Sequence, residues 1–333
     1  MISELNKNTD FSASFINDQS VLPLVITPNK ENLSLRDLFG LHKDIIDKSL
    51  LKYGGVLFRG FKLDGVDEFQ SMVEESYGNA LDYNDRATQR SRVKGKVFTA
   101  TDYPPDQEIL LHNESSFAAK FPRKIFFYSI ETADQGGETP LADVRKVYNH
   151  LEPSIRKPFE DKGVLYVRNF TGGPFGFKWQ EVYQTDDKSE MEKFCSESDI
   201  EFEWTSEDKV KTWQKRPATA KHPDTGESLW INHATVLNVF AIEPKLRKMM
   251  LKFFKEKDLP NNTFYGDGES IDEETILKLK KAYDDKTVSF LWEKGDVLML
   301  DNMMVAHGRR PFSGTRKVVV AMAGPIAWKE LQN

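Results

Sequence analysis

Two apolar segments far apart in this chain constrain what it can fold into. The first, EILLHNESSF at 108–117, reads as a strand whose apolar run ends at His112-Asn113-Glu114. The second, GDVLMLDNMMVAHGRRPFSGTRKVVVAMAG at 295–324, holds two strands. Val297 to Leu300 form a buried one stopped by Asp301-Asn302, VVVAMA forms the other, and His307 falls between them. Further strands are expected at GGVLFRGF, 108–118 and 124–133, with GGETPLAD continuing the sheet, and helices over 35–53 and DEFQSMVEESYG. Many short strands without a βαβ rhythm imply a mainly β chain with helices, built on a double-sheet jelly roll, or double-stranded β-helix.

With 333 residues, 39% of them hydrophobic and 23 of them Phe, the chain can bury one large core. The expectation is a single domain over 1–333, with core strands at about 55–142 and 287–325. Between them lies an insert of mixed helices and loops, roughly 143–285, which is the natural lid and specificity region. Segment 80–107 is polar and turn-rich, a loop suited to cross a site, and the first ~20 residues are polar enough to be loosely held.

His-x-acid pairs occur four times: His42-Lys43-Asp44, His112-Asn113-Glu114, His150-Leu151-Glu152 and His222-Pro223-Asp224. The first and third lie in helical registers, where residues i and i+2 diverge, and HPDTGE has turn composition, with Asp224 the expected cap. Only EILLHNESSF reads as a strand, whose residues i and i+2 share a face, so His112 and Glu114 can converge on one ion. His307 supplies a third donor. Two neutral imidazoles and one carboxylate leave three cis positions open, which suits non-heme Fe(II) and oxygen, and also suits zinc with an open water position. Arg316, entering the last strand, could pair with a carboxylate.

These residues resemble the Fe(II)/2-oxoglutarate-dependent dioxygenases of the taurine dioxygenase (TauD/TfdA) and clavaminate synthase-like group. The matching pieces are LLHNESSFAAKFPRKIFFYS, ETADQGGETPLADVRKVYNHL, HPDTGESLWINHA and GDVLMLDNMMVAHGRRPFSGTRKVVVAM, in the family's order. The resemblance implies that His112, Glu114 and His307 ligate iron and that Arg316 and Thr139 hold the distal carboxylate of 2-oxoglutarate, with no catalytic side chain beyond the metal centre. The acid is Glu where taurine dioxygenase relatives have Asp, which looks like the branch of amino-acid β-hydroxylases acting on free or carrier-bound substrates in natural-product pathways. Some members carry a second arginine four residues past the first; Val320 stands there, which argues against a taurine-like sulfonate.

The implied reaction hydroxylates an unactivated C–H of a small substrate, using O2 and releasing succinate and CO2 from 2-oxoglutarate. The carboxylate at position 114 favours hydroxylation over halogenation, for which related enzymes have a small residue there. Desaturation, cyclisation and epoxidation remain open with the same cofactors. A non-catalytic jelly-roll binding protein or a zinc hydrolase would have no use for the Thr139 and Arg316 pair, and a His-Glu-x-x-His helix is absent.

Arg168, Arg309 and Arg310 could meet a substrate carboxylate, and His233 in SLWINHATVLN reads as a pocket hydrogen-bonder and not a fourth ligand. GGPFGFKW lacks the Lys-Ser/Thr ending of a phosphate loop and reads as a turn near the pocket. A formal charge of −6 without a long basic block makes nucleic acid an unexpected partner. A single cysteine, Cys195, excludes an intrachain disulfide framework, and no apolar run approaches the ~18 residues of a membrane span. The expected setting is the cytoplasm.

Overall fold

A computed structural model describes residues 2–78, 91–100, 103–172 and 176–331. Its largest sheet has eight strands in the order Phe11–Asn17, Ser20–Pro28, Gly55–Phe58, Val297–Asp301, Lys120–Glu131, Lys317–Ala327, Val97–Thr99 and Arg92–Lys94. Neighbours are antiparallel except Ser20–Pro28 against Gly55–Phe58. A four-stranded sheet packs across it in the order Thr287–Val288, Leu141–Asp143, Val305–Arg309, Ile109–His112. The two sheets form the expected jelly roll.

The unbroken apolar runs have a direct cause: the major sheet is buried on both faces. Alternate residues Leu298, Leu300, Val318 and Val320 face the minor sheet, in one core with Leu141, Ala142 and Ala306. Val297, Met299, Val319 and Ala321 point the other way, into a core with Leu38, Phe39, Phe69, Met72 and Val73 from the helices Leu35–Tyr53 and Gly65–Tyr77. The first helix is capped by the Ser34 side chain, which accepts from the Asp37 N–H, and stops at Gly54, whose φ of 79° is left-handed. A Cβ there would also stand 2.6 Å from Val305 Cγ2, so glycine lets the helix end lie against the His307 strand.

Three expectations change. The N-terminal segment is not loosely held: Phe11–Asn17 pairs with Ser20–Pro28 at the sheet edge, and Phe11 and Ala13 are buried. Hydrophobic residues interleaved with its polar ones fill the core beneath the first helix. The insert is not only helices and loops, because it carries a four-stranded antiparallel sheet in the order Glu201–Ser206, Lys209–Arg216, Val164–Phe170, Asn261–Tyr265. Cys195 lies in a small core on this sheet with Phe170, Trp179 and Met191. In HPDTGE the capping group is His222 and not Asp224. His222 Nδ1 accepts the N–H of Asp224 and of Thr225, while Asp224 pairs with Arg123. Residues 80–90 and 101–102 of the loop expected at 80–107, and residues 173–175 of GGPFGFKW, lie outside the described residues, and the described part of that segment is not all loop, since it carries the strands Arg92–Lys94 and Val97–Thr99 at the edge of the large sheet.

Candidate active site

His112 and His307 are directly opposite in the pairing of Ile109–His112 with Val305–Arg309, so their rings share one face, with centroids 4.6 Å apart. His307 is thus in the body of a strand and not in a connection between strands, a correction to the sequence reading. Gly308 makes the pairing possible, since a Cβ there would meet the Ile109 carbonyl oxygen at 2.4 Å. Glu114 is also placed differently from the expectation. The strand ends at His112, and Glu114 sits in the turn that follows, before Ser115 at φ 54°.

That turn is held by Asn302, which sequence reasoning saw only as a strand stop. Its Oδ1 accepts the Glu114 N–H at 2.7 Å, and its Nδ2 donates to the carbonyls of Glu114 at 3.0 Å and Pro122 at 2.8 Å. Its own carbonyl accepts from Asn113 Nδ2 at 2.6 Å. The adjacent Asp301 is anchored as well, accepting from the N–H groups of Met303 and Met304 and pairing with buried His222 at 3.2 Å. The signal that could have found Asn302 is a side-chain amide, next to Asp301, inside the otherwise apolar run VLMLDNMMVA, where every polar atom needs a partner.

Glu114 Oε2 lies 3.7 Å from His307 Nε2 and 3.9 Å from His112 Nε2, and one ligand atom from each residue falls within 4.8 Å of the others. His112 Nδ1 stands 2.8 Å from the Leu110 carbonyl, an arrangement that puts the ring proton on Nδ1 and turns the Nε2 lone pair toward Glu114. Glu114 and His307 are only 2% and 3% exposed, a costly place for a carboxylate without a cation. The donors are borderline nitrogen and hard oxygen, so they fit Fe(II) and zinc alike.

A narrow cavity runs from His112 and His307 to Thr139 and Arg316. Arg316 Nε donates to the Gly137 carbonyl at 2.9 Å, and Nη2 lies 3.5 Å from Thr139 Oγ1. Among the described residues Arg316 forms no ion pair. Burial, with repulsion from Arg309, lowers its pKa to about 10, so the guanidinium stays charged at neutral pH where it lines the cavity. Trp292 Nε1 also donates to Thr139 Oγ1, at 3.1 Å.

The other candidates separate. Arg309 lines this cavity, but its guanidinium donates to the carbonyls of Tyr103, Pro104 and Gln107 and so ties down the segment before the ligand strand. Arg310 lines a different cavity, beside Thr235 and Tyr283, and pairs with Glu108. Arg168 is buried with its guanidinium over Phe170, at 4.9 Å, and near Phe117, at 6.0 Å. Phe117 in turn contacts His233, whose ring is 5.6 Å from His112. His233 Nδ1 is 2.8 Å from Ser116 Oγ, and burial followed by the neighbouring His112 lowers its pKa to about 3, which keeps the ring neutral. Val320 is wholly buried in the core between the sheets.

A jelly roll with a two-His, one-Glu set and an arginine at the cavity's far end defines a class, and sequence comparison agrees. The model of the Taurine catabolism dioxygenase TauD, TfdA family matches residues 20–322, and the chain belongs to that family. It is 36% identical over 302 residues to the dapdiamide synthesis protein DdaC of Enterobacter agglomerans, covering 91% of each chain. It is 30% identical over 317 residues to a clavaminate synthase-like protein of Arabidopsis thaliana, covering 90% of this chain and 93% of the relative. In fold it is similar to PvcB, described as an Fe, alpha-ketoglutarate dependent oxygenase from an isonitrile synthetic pathway. That likeness has a TM-score of 0.55 at 12% identity, covering 95% of this chain and 92% of PvcB.

Proposed function

We propose that this chain is an Fe(II)- and 2-oxoglutarate-dependent oxygenase that hydroxylates an unactivated C–H of a small substrate derived from an amino acid, working as a single unit in a reducing cytoplasm. The observation that carries the reading is one cavity lined at one end by His112 and His307, whose ring nitrogens cluster with the Glu114 carboxylate, and at the other by a buried, cationic Arg316 beside Thr139. His112, Glu114 and His307 would hold the iron, and Arg316 and Thr139 the distal carboxylate of the oxoacid. When bound, the iron and oxoacid supply the oxidising chemistry, with O2 consumed and succinate and CO2 released.

The chain's own groups bind, orient and exclude water. Arg316 supplies the positive end that a dicarboxylate needs, and burial around it strengthens that attraction. Phe127 packs its ring 5.0 Å from that of His307 and closes one wall against solvent. Arg168, over Phe170 and near Phe117, is the arginine best placed to meet a substrate carboxylate on the His233 side. The likeness to a protein named for dapdiamide synthesis favours an amino-acid-derived substrate, free or carrier-bound. Desaturation, cyclisation or epoxidation would use the same set with a different substrate placement. A zinc hydrolase needs no anion site at Arg316.

Anaerobic titration of the apoprotein with Fe(II) and then 2-oxoglutarate tests the assignment. The weak visible charge-transfer band of the chelate is expected, absent in His307→Ala and shifted to about tenfold to hundredfold higher oxoacid in Arg316→Ala, the range for losing a charge-assisted hydrogen bond. Iron uptake by the wild type without the band would sink the reading.

A further inference from the structure

We infer that Trp292 is a positioning residue for the cosubstrate: its indole N–H turns the Thr139 hydroxyl into a donor aimed at an anion. The inference rests on the function proposed above. An indole nitrogen can only donate, so in the 3.1 Å contact Thr139 Oγ1 must be the acceptor. The second nearby group, Arg316 Nη2 at 3.5 Å, is also donor-only. With both neighbours offering hydrogens to the oxygen, the favourable use of the hydroxyl's own hydrogen is toward a third group that accepts. Thr139 is 2% exposed and lines the cavity that Arg316 enters, so that third group is whatever occupies the cavity. A carboxylate oxygen satisfies the hydroxyl and the guanidinium together, whereas a group that can only donate satisfies neither.

Trp292 has a scaffold of its own. It lies in the connection leading to Val297–Asp301, is 9% exposed, and packs edge-on against Phe290 with centroids 5.0 Å apart. Arg59, on the neighbouring strand's exit, fixes that connection. It donates to the Leu291 carbonyl at 2.9 Å and to both Asp296 oxygens at 3.0 and 2.7 Å, and pairs with Glu293 at 2.8 Å. Asp296 closes the loop by accepting the Glu293 N–H at 2.8 Å. The orientation of a cavity hydroxyl thereby depends on the Arg59–Asp296 ion pair, which braces the connection that carries Trp292.

The test measures 2-oxoglutarate binding to the Fe(II)-loaded protein, anaerobically, by calorimetry and by the chelate band. Trp292→Phe keeps most of the ring and removes the donor; about threefold to tenfold weaker oxoacid binding is expected, the size of one net hydrogen bond. Fe(II) affinity should not move. In a Thr139→Val background the same substitution should have no further effect, since there is no hydroxyl left to orient. Arg59→Lys, which loosens the loop from outside the cavity, should weaken oxoacid binding in the same selective way and serves where Trp292→Phe does not fold. Equal losses with and without the Thr139 hydroxyl, or unchanged binding in the folded variants, overturn the inference alone. A wild type that takes up iron but binds no oxoacid overturns the function proposal and this inference with it.

Discussion

Asn302 shows how much of the site depends on a residue that would touch neither metal nor substrate. Its amide ties the Glu114 turn to the end of the strand that leads, three residues on, into the His307 strand, so the carboxylate and the imidazole are held in one frame. Asn302→Ala removes three side-chain hydrogen bonds and leaves the Glu114 N–H and carbonyl buried without them. Metal affinity should fall about tenfold to hundredfold, the usual scale for groups that orient ligands. Asn302→Asp, which keeps the acceptor for the Glu114 N–H and loses the donors, should retain part of it. Titration with Co(II), followed by its visible ligand-field bands, reads both affinity and geometry. Wild-type affinity and an unchanged spectrum in Asn302→Ala would show that the turn holds itself.

At the level of elements, the N-terminal hairpin and the insert sheet are the two places where local reading fell short. The hairpin FSASFIN…SVLPLVITP looks polar at its start, and only its docking under the Leu35–Tyr53 helix buries Phe11 and Ala13. Phe11→Ala should therefore destabilise the protein by roughly 3–5 kcal/mol, the cost of emptying a core aromatic site, measured by urea or guanidinium unfolding. A loss below about 1 kcal/mol would mean that the hairpin contributes little to the core. The insert sheet went unread because two of its strands, Glu201–Ser206 and Lys209–Arg216, are charged and partly exposed, and the two buried ones, Val164–Phe170 and Asn261–Tyr265, pair across about a hundred residues of sequence. By contrast, the Leu35–Tyr53 helix appears where its apolar spacing and the Ser34 and Gly54 caps put it.

For the whole molecule, the three-donor set and the Arg316 cavity are each held between sheets that come from both ends of the chain. Ligands that bind only the folded state must stabilise it by mass action. Fe(II) at a hundred times its dissociation constant should add about 2.7 kcal/mol, and 2-oxoglutarate should raise the melting temperature further only when iron is present. Anaerobic thermal unfolding with each ligand alone and together checks this. An oxoacid effect equal with and without metal would place the anion somewhere other than beside the metal.

The sheet-rich class is legible in the amino-acid order alone, because apolar runs without βαβ alternation leave few other ways to bury them. His112, Glu114 and His307 stand out in it as a donor set, because only a strand setting lets residues two apart share a face, while Thr139 and the carboxylate-holding role of Arg316 come from the resemblance to the family's motifs. Folding in three dimensions is what puts Glu114 on a turn, clamps it with Asn302, brings Trp292 to Thr139 and spends Arg309 on backbone carbonyls. Those facts depend on contacts between segments far apart in the chain. A side chain's partner across a sheet leaves no mark in the local periodicity from which strands and helices are read.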